Sequence, residues 1–398
     1  MANITIHRGS RQIGGCITEI ATASSRVFID FGDSLPGNTA PTAPIDGLTA
    51  GEGKGSALFF THYHGDHIGR LPEVLPDVPV YMGETAKAIQ MNYAARADRG
   101  CLPCLARMRT FTHAASVMAG DITVTPLMID HSAFDAYMFI ITIEADGRRI
   151  LHTGDFRLHG VRGGKTLRML EACARDADYV ICEGTTLSRE GEPPMSEHRL
   201  RQKAAVMMKA AKYVFVLCSS THIDRIGAFY HANPKGRLFV CDAYQKKQLE
   251  TVRQAHAAKS GYYNFQYVRD YAPNLDAVMA EKGFCMLVRP GEAFRRVMEA
   301  YQTEAYKGDC LVIYSMWTGY LDERAQNQPL VDFLAPYRYR VLHTSGHAAP
   351  ADIKRLYETV RPKRGFIPIH TDAPEAFTRL IPDGRVILLD DGERMGLL

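Results

Sequence analysis

The sequence predicts an α+β domain interrupted by an inserted α/β segment. Three observations carry this. Over the first 185 residues, short apolar runs separated by turn residues read as strands. From about residue 187 strands alternate with helices, the texture of a parallel α/β unit. Near Arg340 the strand-rich texture returns. The expected division is therefore residues 1–186 for the first part of one domain, 187–335 for the insert and 336–398 for the remainder of the first domain, within a chain of 398 residues.

The expected strands of the first part are Ile4–His7, Cys16–Ile20, Arg26–Phe31, Ala57–Phe60 and Val78–Tyr81. A hairpin joins Ala136–Ile143 to Arg149–His152 through the turn signal Ala145-Asp146-Gly147, and Glu84–Ala97 is the clearest helix. The polar, Pro-rich stretch Ser188–Pro194 reads as a connection. Ser196 then caps a helix running to about Ala211, followed by strand Val214–Leu217, a helix near Arg225–His231, strand Leu238–Cys241 and helix Gln245–Ala258. The last part predicts strand Val341–His343, helix Ala351–Val360, strand Phe366–Ile369 and a final strand Val386–Leu389.

Composition is that of a globular chain, 46% hydrophobic and 23% charged. A formal charge of only +3 means that any polyanion must be held by a local basic surface rather than by a global field. Nine scattered cysteines, several inside apolar strand-like runs, exclude a secreted disulfide framework and read as small buried hydrophobes. No apolar signal segment and no membrane-length apolar run occurs, so a cytoplasmic location without a membrane partner is expected.

The chemistry concentrates in Thr61-His62-Tyr63-His64-Gly65-Asp66-His67, where an apolar strand runs into a turn holding three histidines and an aspartate within six positions. At strand periodicity His62 and His64 project to the same side and can grip one ion. Asp66 and His67 follow where the chain must turn and can face a second. Imidazole with carboxylate suits zinc, and also manganese or iron. The alternative is a solvated polar turn. Three further donors stand at strand ends: His131, Asp155 and His370.

Together, His62-Tyr63-His64-Gly65-Asp66-His67, His131-Ser132, His152-Thr153-Gly154-Asp155-Phe156 and the early Asp30 resemble the successive motifs of the metallo-β-lactamase superfamily. Glu183 in Cys182-Glu183-Gly184-Thr185 resembles motif A of its β-CASP branch, with RNase J-like RNA-processing nucleases. Ser345-Gly346-His347-Ala348 is similar to motif B, and His370 in Pro368-Ile369-His370-Thr371 to motif C. The resemblance spans nearly the whole chain. It implies a metallo-β-lactamase αββα sandwich with an inserted β-CASP cap, and a cleft between the two. It also implies two divalent ions, zinc first and manganese second. His62, His64 and His131 would hold one ion, and Asp66, His67 and His370 the other, with Asp155 bridging them and Asp30 supporting the ligands from behind.

Two such ions can hold a bridging hydroxide and clamp both oxygens of an in-line displacement. Besides Asp66, His347 and Glu183 are the expected catalytic residues, His347 as proton donor or charge stabiliser and Glu183 fixing its orientation. His347 read without the family is a turn residue before a helix, and Glu183 a cap or salt-bridge partner. Ser219, Ser220, His222 and Arg225 form either a phosphate cradle at a helix N-terminus or an ordinary cap. Ser315 and Trp317 lie at a second strand end, where the aromatic ring would stack a base or pack in the core. Cys101-Leu102-Pro103-Cys104 has no partner pair and reads as a loop. In the family a Gly-rich phosphate segment stands where this chain has Ser315-Met316-Trp317-Thr318-Gly319-Tyr320, a departure that bears on threading from a 5′ end more than on endonucleolytic cutting.

The leading expectation is a metal-dependent ribonuclease. A di-metal hydrolase of a small ester, thioester or lactone is the alternative, and a non-catalytic binding subunit the third. The size of the insert, with Glu183 and His347, favours the first, and the full ligand set disfavours the third. A His at motif C, as at position 370, accompanies RNA rather than DNA substrates in the family. RNA is thus the expected partner, with homodimerisation left open.

Overall fold

The computed structural model of the chain describes residues 2–36, 42–97, 99–189, 193–322, 327–382 and 384–397. By packing it separates into two compact units. The first comprises Met1–Leu158, Arg162–Pro193 and Gly346–Leu398, and the second His159–Val161 with Pro194–Ser345. Residues 190–192 of the expected connection lie outside the described residues.

The first unit starts with β1 (Asn3–Arg8), β2 (Ile17–Ala21), β3 (Arg26–Ile29), β4 (Ser56–Phe59), β5 (Val80–Gly83) and β6 (Arg109–Phe111). It continues with β7 (Val117–Ala119), β8 (Ile122–Met128), β9 (Tyr137–Ile143), β10 (Arg149–His152) and β11 (Tyr179–Glu183). The second unit supplies β12 (Tyr213–Leu217), β13 (Leu238–Cys241), β14 (Val268–Asp270), β15 (Phe284–Val288), β16 (Cys310–Tyr314) and β17 (Tyr339–Val341). The chain then returns to the first unit with β18 (Gly365–Ile369) and β19 (Arg394–Gly396).

Two sheets form the first unit, in orders β19-β1-β2-β3-β4-β5-β6 and β18-β11-β10-β9-β8-β7. Strand alternation decides what lies between and outside them. In β9, Tyr137, Phe139, Ile141 and Ile143 join Ile4, Ile20, Val27, Ile29 and Phe59 of the facing sheet in one buried core. Met138 and Ile140 point the other way, to a second core with Leu170, Ile353, Leu356 and Val360 of the helices Gly163–Cys173 and Pro350–Val360. The facing sheet carries helix Glu84–Ala97 directly after β5. The carboxylate of Asp135 accepts from the Thr85 and Ala86 backbone N–H groups at 2.8 and 3.0 Å, meeting donors that a helix start leaves open. This is the expected αββα sandwich.

Pairing between distant segments brings the strand ends together. β11 and β18 run parallel with Glu183 opposite Ile369, so Glu183 and His370 leave the sheet at the same end. β10 is parallel to β11 on its other side, which brings Asp155, three residues beyond His152, to that end as well. Asp30 and His370 both take left-handed backbone conformations, at φ 62° and 50°. For residues other than glycine this is a strained state of the kind that clusters at functional sites.

The second unit is an α/β layer of six parallel strands, ordered β14-β13-β15-β12-β16-β17. Ser196 caps helix Glu197–Lys209 by accepting from the Arg199 N–H at 3.2 Å. The unit runs on to Ser345 because β17 pairs with β16.

One expected element is absent: Val386–Leu389 is not a strand, and Val386 makes only an isolated bridge to Phe366. The chain ends instead on β19, whose Arg394, Met395 and Gly396 carry no strand pattern but pair with Thr5, Ile4 and Asn3 at the edge of the first sheet. Among the described residues no helix is long and apolar enough to cross a membrane.

Candidate metal centre

At the strand ends of the first unit the structure gathers all seven residues named from the motifs. His62 Nε2 lies 3.0 Å from His64 Nδ1, and His131 Nε2 lies 3.2 Å from the same atom. These three donors form one compact group. His370 Nε2 is 3.2 Å from Asp66 Oδ2, and His67 Nε2 is 3.9 Å from it. Asp155 Oδ2 stands between the groups, 3.9 Å from both His62 and His131 and 3.2 and 3.8 Å from His67 and His370.

What suits these rings to ligate a metal is what their other nitrogens do. His67 Nδ1 meets Asp30 Oδ2 at 2.8 Å, and Asp30 also accepts from the Thr61 N–H and Oγ1–H, both at 2.8 Å. His62 Nδ1 faces Thr61 Oγ1 at 3.0 Å, His131 Nδ1 faces the Gly346 carbonyl at 2.8 Å and His370 Nδ1 faces Thr185 Oγ1 at 2.7 Å. Each contact turns Nε2 inward. The loop carrying Asp66 and His67 is held by close backbone approach, since a Cβ on Gly32 would fall 1.7 Å from the Asp66 carbonyl oxygen.

Electrostatics divide the cluster. Burial first, then the neighbouring imidazoles, hold His62 and His131 well below the ordinary histidine value and push His64 down to about 4. These three rings are neutral lone-pair donors. Burial also opposes charge on His67 and His370, but the carboxylates led by Asp155 overcome it and hold both well above the ordinary value. The carboxyl groups of Asp155 and Asp66 stay ionised despite burial because the His67 and His370 rings face them. Such a set asks for positive charge at its centre, which a divalent ion supplies. The orphaned atoms agree: His67 Nε2 and Asp155 Oδ1 are buried without a hydrogen-bond partner. Histidine nitrogen with carboxylate oxygen is a donor set for divalent metal, and the residues fit one.

Beside this cluster Glu183 is wholly buried. Its Oε1 accepts from the Phe156 N–H at 2.9 Å and its Oε2 lies 3.1 Å from His347 Nδ1. The His347 ring is partly exposed and its Nδ1 is 3.6 Å from Asp155 Oδ2. Thr61, Thr185 and the Gly346 carbonyl are the parts that sequence reasoning missed. Their only signal is adjacency to a motif, and what they touch is set by tertiary pairing.

The expected cradle in the second unit is arranged differently. Arg225 is wholly buried, and its guanidinium bonds Glu197 at 2.8 Å, Ser315 Oγ at 2.9 Å and the Thr344 carbonyl at 3.0 Å. Arg225 and Ser315 thus bind the unit's interior rather than a phosphate. The reason is Glu197, buried one helix earlier, whose charge demands a buried cation. His222 lies on the same pair, 3.8 Å from Glu197. Ser219 is exposed and Ser220 accepts from Gln245 Nε2 at 3.3 Å. Trp317 is 42% exposed and packs edge-on against Tyr320. Cys101 and Cys104 join no group of metal-ligating side chains among the described residues. Removing one partner of the buried pair should cost far more than a surface change. Arg225→Met is expected to lower unfolding stability by about 3–5 kcal/mol in denaturant titrations. It should leave metal content unchanged.

Comparison with known proteins places the whole. Residues 25–249, more than half of the chain, match the beta-lactamase superfamily domain, and residues 336–383 match the Zn-dependent metallo-hydrolase RNA specificity domain. The chain belongs to the metallo-β-lactamase superfamily. Ribonuclease J of Helicobacter pylori strain B128 is 22% identical over 426 residues, covering 98% of this chain and 60% of that protein. Ribonuclease J of Thermus thermophilus is 25% identical over 91% of this chain and 67% of its own length, and that of Mycobacterium tuberculosis H37Rv is 24% identical over 99% and 74%. This chain therefore spans about 60% of the length of the Helicobacter relatives. A crystal structure of a protein of unknown function from Enterococcus faecalis V583 superposes with a TM-score of 0.78 at 23% identity, covering all of both chains, and so shares the fold.

Proposed function

We propose that this chain is a metal-dependent ribonuclease holding two divalent ions, zinc by preference. The observation that carries the reading is the convergence of six donors into two groups around a seventh, Asp155, with the Glu183–His347 pair beside them. His62, His64 and His131 form the first position, Asp66, His67 and His370 the second, and Asp155 faces both. Bound there, the ions would supply Lewis acidity and an acidified water as nucleophile. His347, with Nδ1 held on Glu183, presents the far side of its ring to substrate. It would give a proton to the leaving oxygen as the P–O bond breaks, or stabilise the charge developing there. The first unit is then the catalytic domain and the second the β-CASP cap, with Ser219, Ser220 and Trp317 as its remaining candidates for substrate contact.

RNA as substrate is supported by the match to an RNA specificity domain and by the names of the relatives. Histidine at position 370 agrees with it. The test is incubation of zinc- or manganese-loaded protein with 5′-labelled RNA and matched DNA. RNA should be shortened to defined products and DNA left largely intact, with product sizes distinguishing internal from terminal cutting. Turnover of thioesters or lactones with RNA untouched would replace this reading with that of a small-ester hydrolase.

A further inference from the structure

We propose that Cys16 is an additional ligand of the second metal position, making that position a mixed sulfur, nitrogen and oxygen site. The inference rests on the two-position reading above. Cys16 is 2% exposed, and its sulfur lies with the ring nitrogens of His67 and His370 in a group whose donor atoms are all within 4.8 Å of one another. Donors on one zinc ion sit roughly 3–4 Å apart, so side-chain shifts of under about 1.5 Å suffice to bring the three together on an ion that also meets carboxylate oxygen. One of the three, His67 Nε2, is buried, and although Asp155 Oδ2 lies 3.2 Å away it makes no well-formed hydrogen bond.

The backbone places the sulfur there. Cys16 follows Gly14 and Gly15, both in left-handed conformations, which turn the chain between β1 and β2. Its N–H donates to the Asp66 carbonyl at 3.2 Å, and its carbonyl accepts from the Gly32 N–H at 3.3 Å. Cys16 is thereby fastened to the loop that bears two of the second position's ligands. On the other side Gly9 accepts from the His370 N–H at 2.7 Å, and a Cβ on Gly9 would meet the Cys16 sulfur at 3.2 Å. A bare glycine leaves the niche open for the sulfur, beside the residue that anchors His370.

The consequence is chemical asymmetry. The first position offers three imidazoles, whereas the second adds a soft donor to imidazole and carboxylate. Thiolate selects zinc or cadmium over manganese, so the two positions should differ in metal preference. On binding, the thiol gives up its proton to solvent and the sulfur lone pair forms the metal bond.

The test is cobalt(II) reconstitution of the metal-free full chain, read by absorption, for wild type, Cys16→Ser and Cys16→Ala. Wild type should show visible d–d bands together with near-ultraviolet sulfur-to-cobalt charge transfer. Both variants should keep d–d bands and lose the charge transfer. Zinc-loaded wild type should show a sulfur neighbour at about 2.3 Å by X-ray absorption. Zinc preference over manganese at the second position should fall by about tenfold or more in the variants, a loss that even the neighbours of ligands produce. Cobalt bound with d–d bands but no charge transfer in wild type overturns the proposal and leaves the two-position reading standing. So does a charge-transfer band that survives in Cys16→Ser. Absence of any bound cobalt overturns both. The wild-type spectrum decides even if a variant fails to fold.

Discussion

Asp155→Ala should empty both metal positions and reduce cleavage to background. The carboxylate lies within 3.9 Å of four imidazoles drawn from both groups, and all of these contacts are buried. Without it the two clusters lose the anion they share. Elemental analysis after reconstitution checks the outcome. Asp66→Ala is expected to lower occupancy chiefly of the second position, since Asp66 lies 3.2 and 3.9 Å from His370 and His67. Full occupancy in Asp155→Ala would remove Asp155 from the centre of the site.

His347→Ala should separate catalysis from metal binding. The ring stands beside Asp155 and on Glu183, in a group with these two and His370 but apart from the three imidazoles of the first position. Its loss is expected to leave both metals bound and RNA affinity nearly intact. Single-turnover cleavage should slow by about 10²–10⁴-fold, the usual scale for a missing general acid. His370→Ala, measured under the same salt, should lose the second metal and activity together. Wild-type cleavage by His347→Ala would mean that the proton reaches the leaving oxygen by another route.

The candidate metal residues could be picked out from sequence because their pattern is local. A strand followed by His-x-His-x-Asp-His fixes which side chains share a face, whatever the rest of the chain does. Asp155 and His370 were legible as residues ending apolar runs. Cys16, Thr61 and Thr185 were not, because nothing beside them in sequence says that a distant imidazole will arrive. The Arg225 reading went astray for a related reason. An arginine one turn into a helix is the same string whether it faces solvent or a buried Glu197, and the partner lies 28 residues away. β19 was hidden because an edge strand of Arg394, Met395 and Gly396 owes its form to β1 rather than to its own pattern.

The parallel pairing of β11 with β18 has a consequence for the birth of the molecule. Between these neighbours in one sheet the chain makes an entire second unit, so their contact closes a loop of more than 150 residues and is slow to form. On the ribosome, every donor of the first metal position is made early, within the first 155 residues with Asp155 included. His370 and His347 emerge only after the inserted unit has been synthesised, and β19 later still. The donors of the proposed first position are thus synthesised well before the set of the second is complete, yet the Gly346 carbonyl that orients His131 arrives only with the segment beyond the inserted unit.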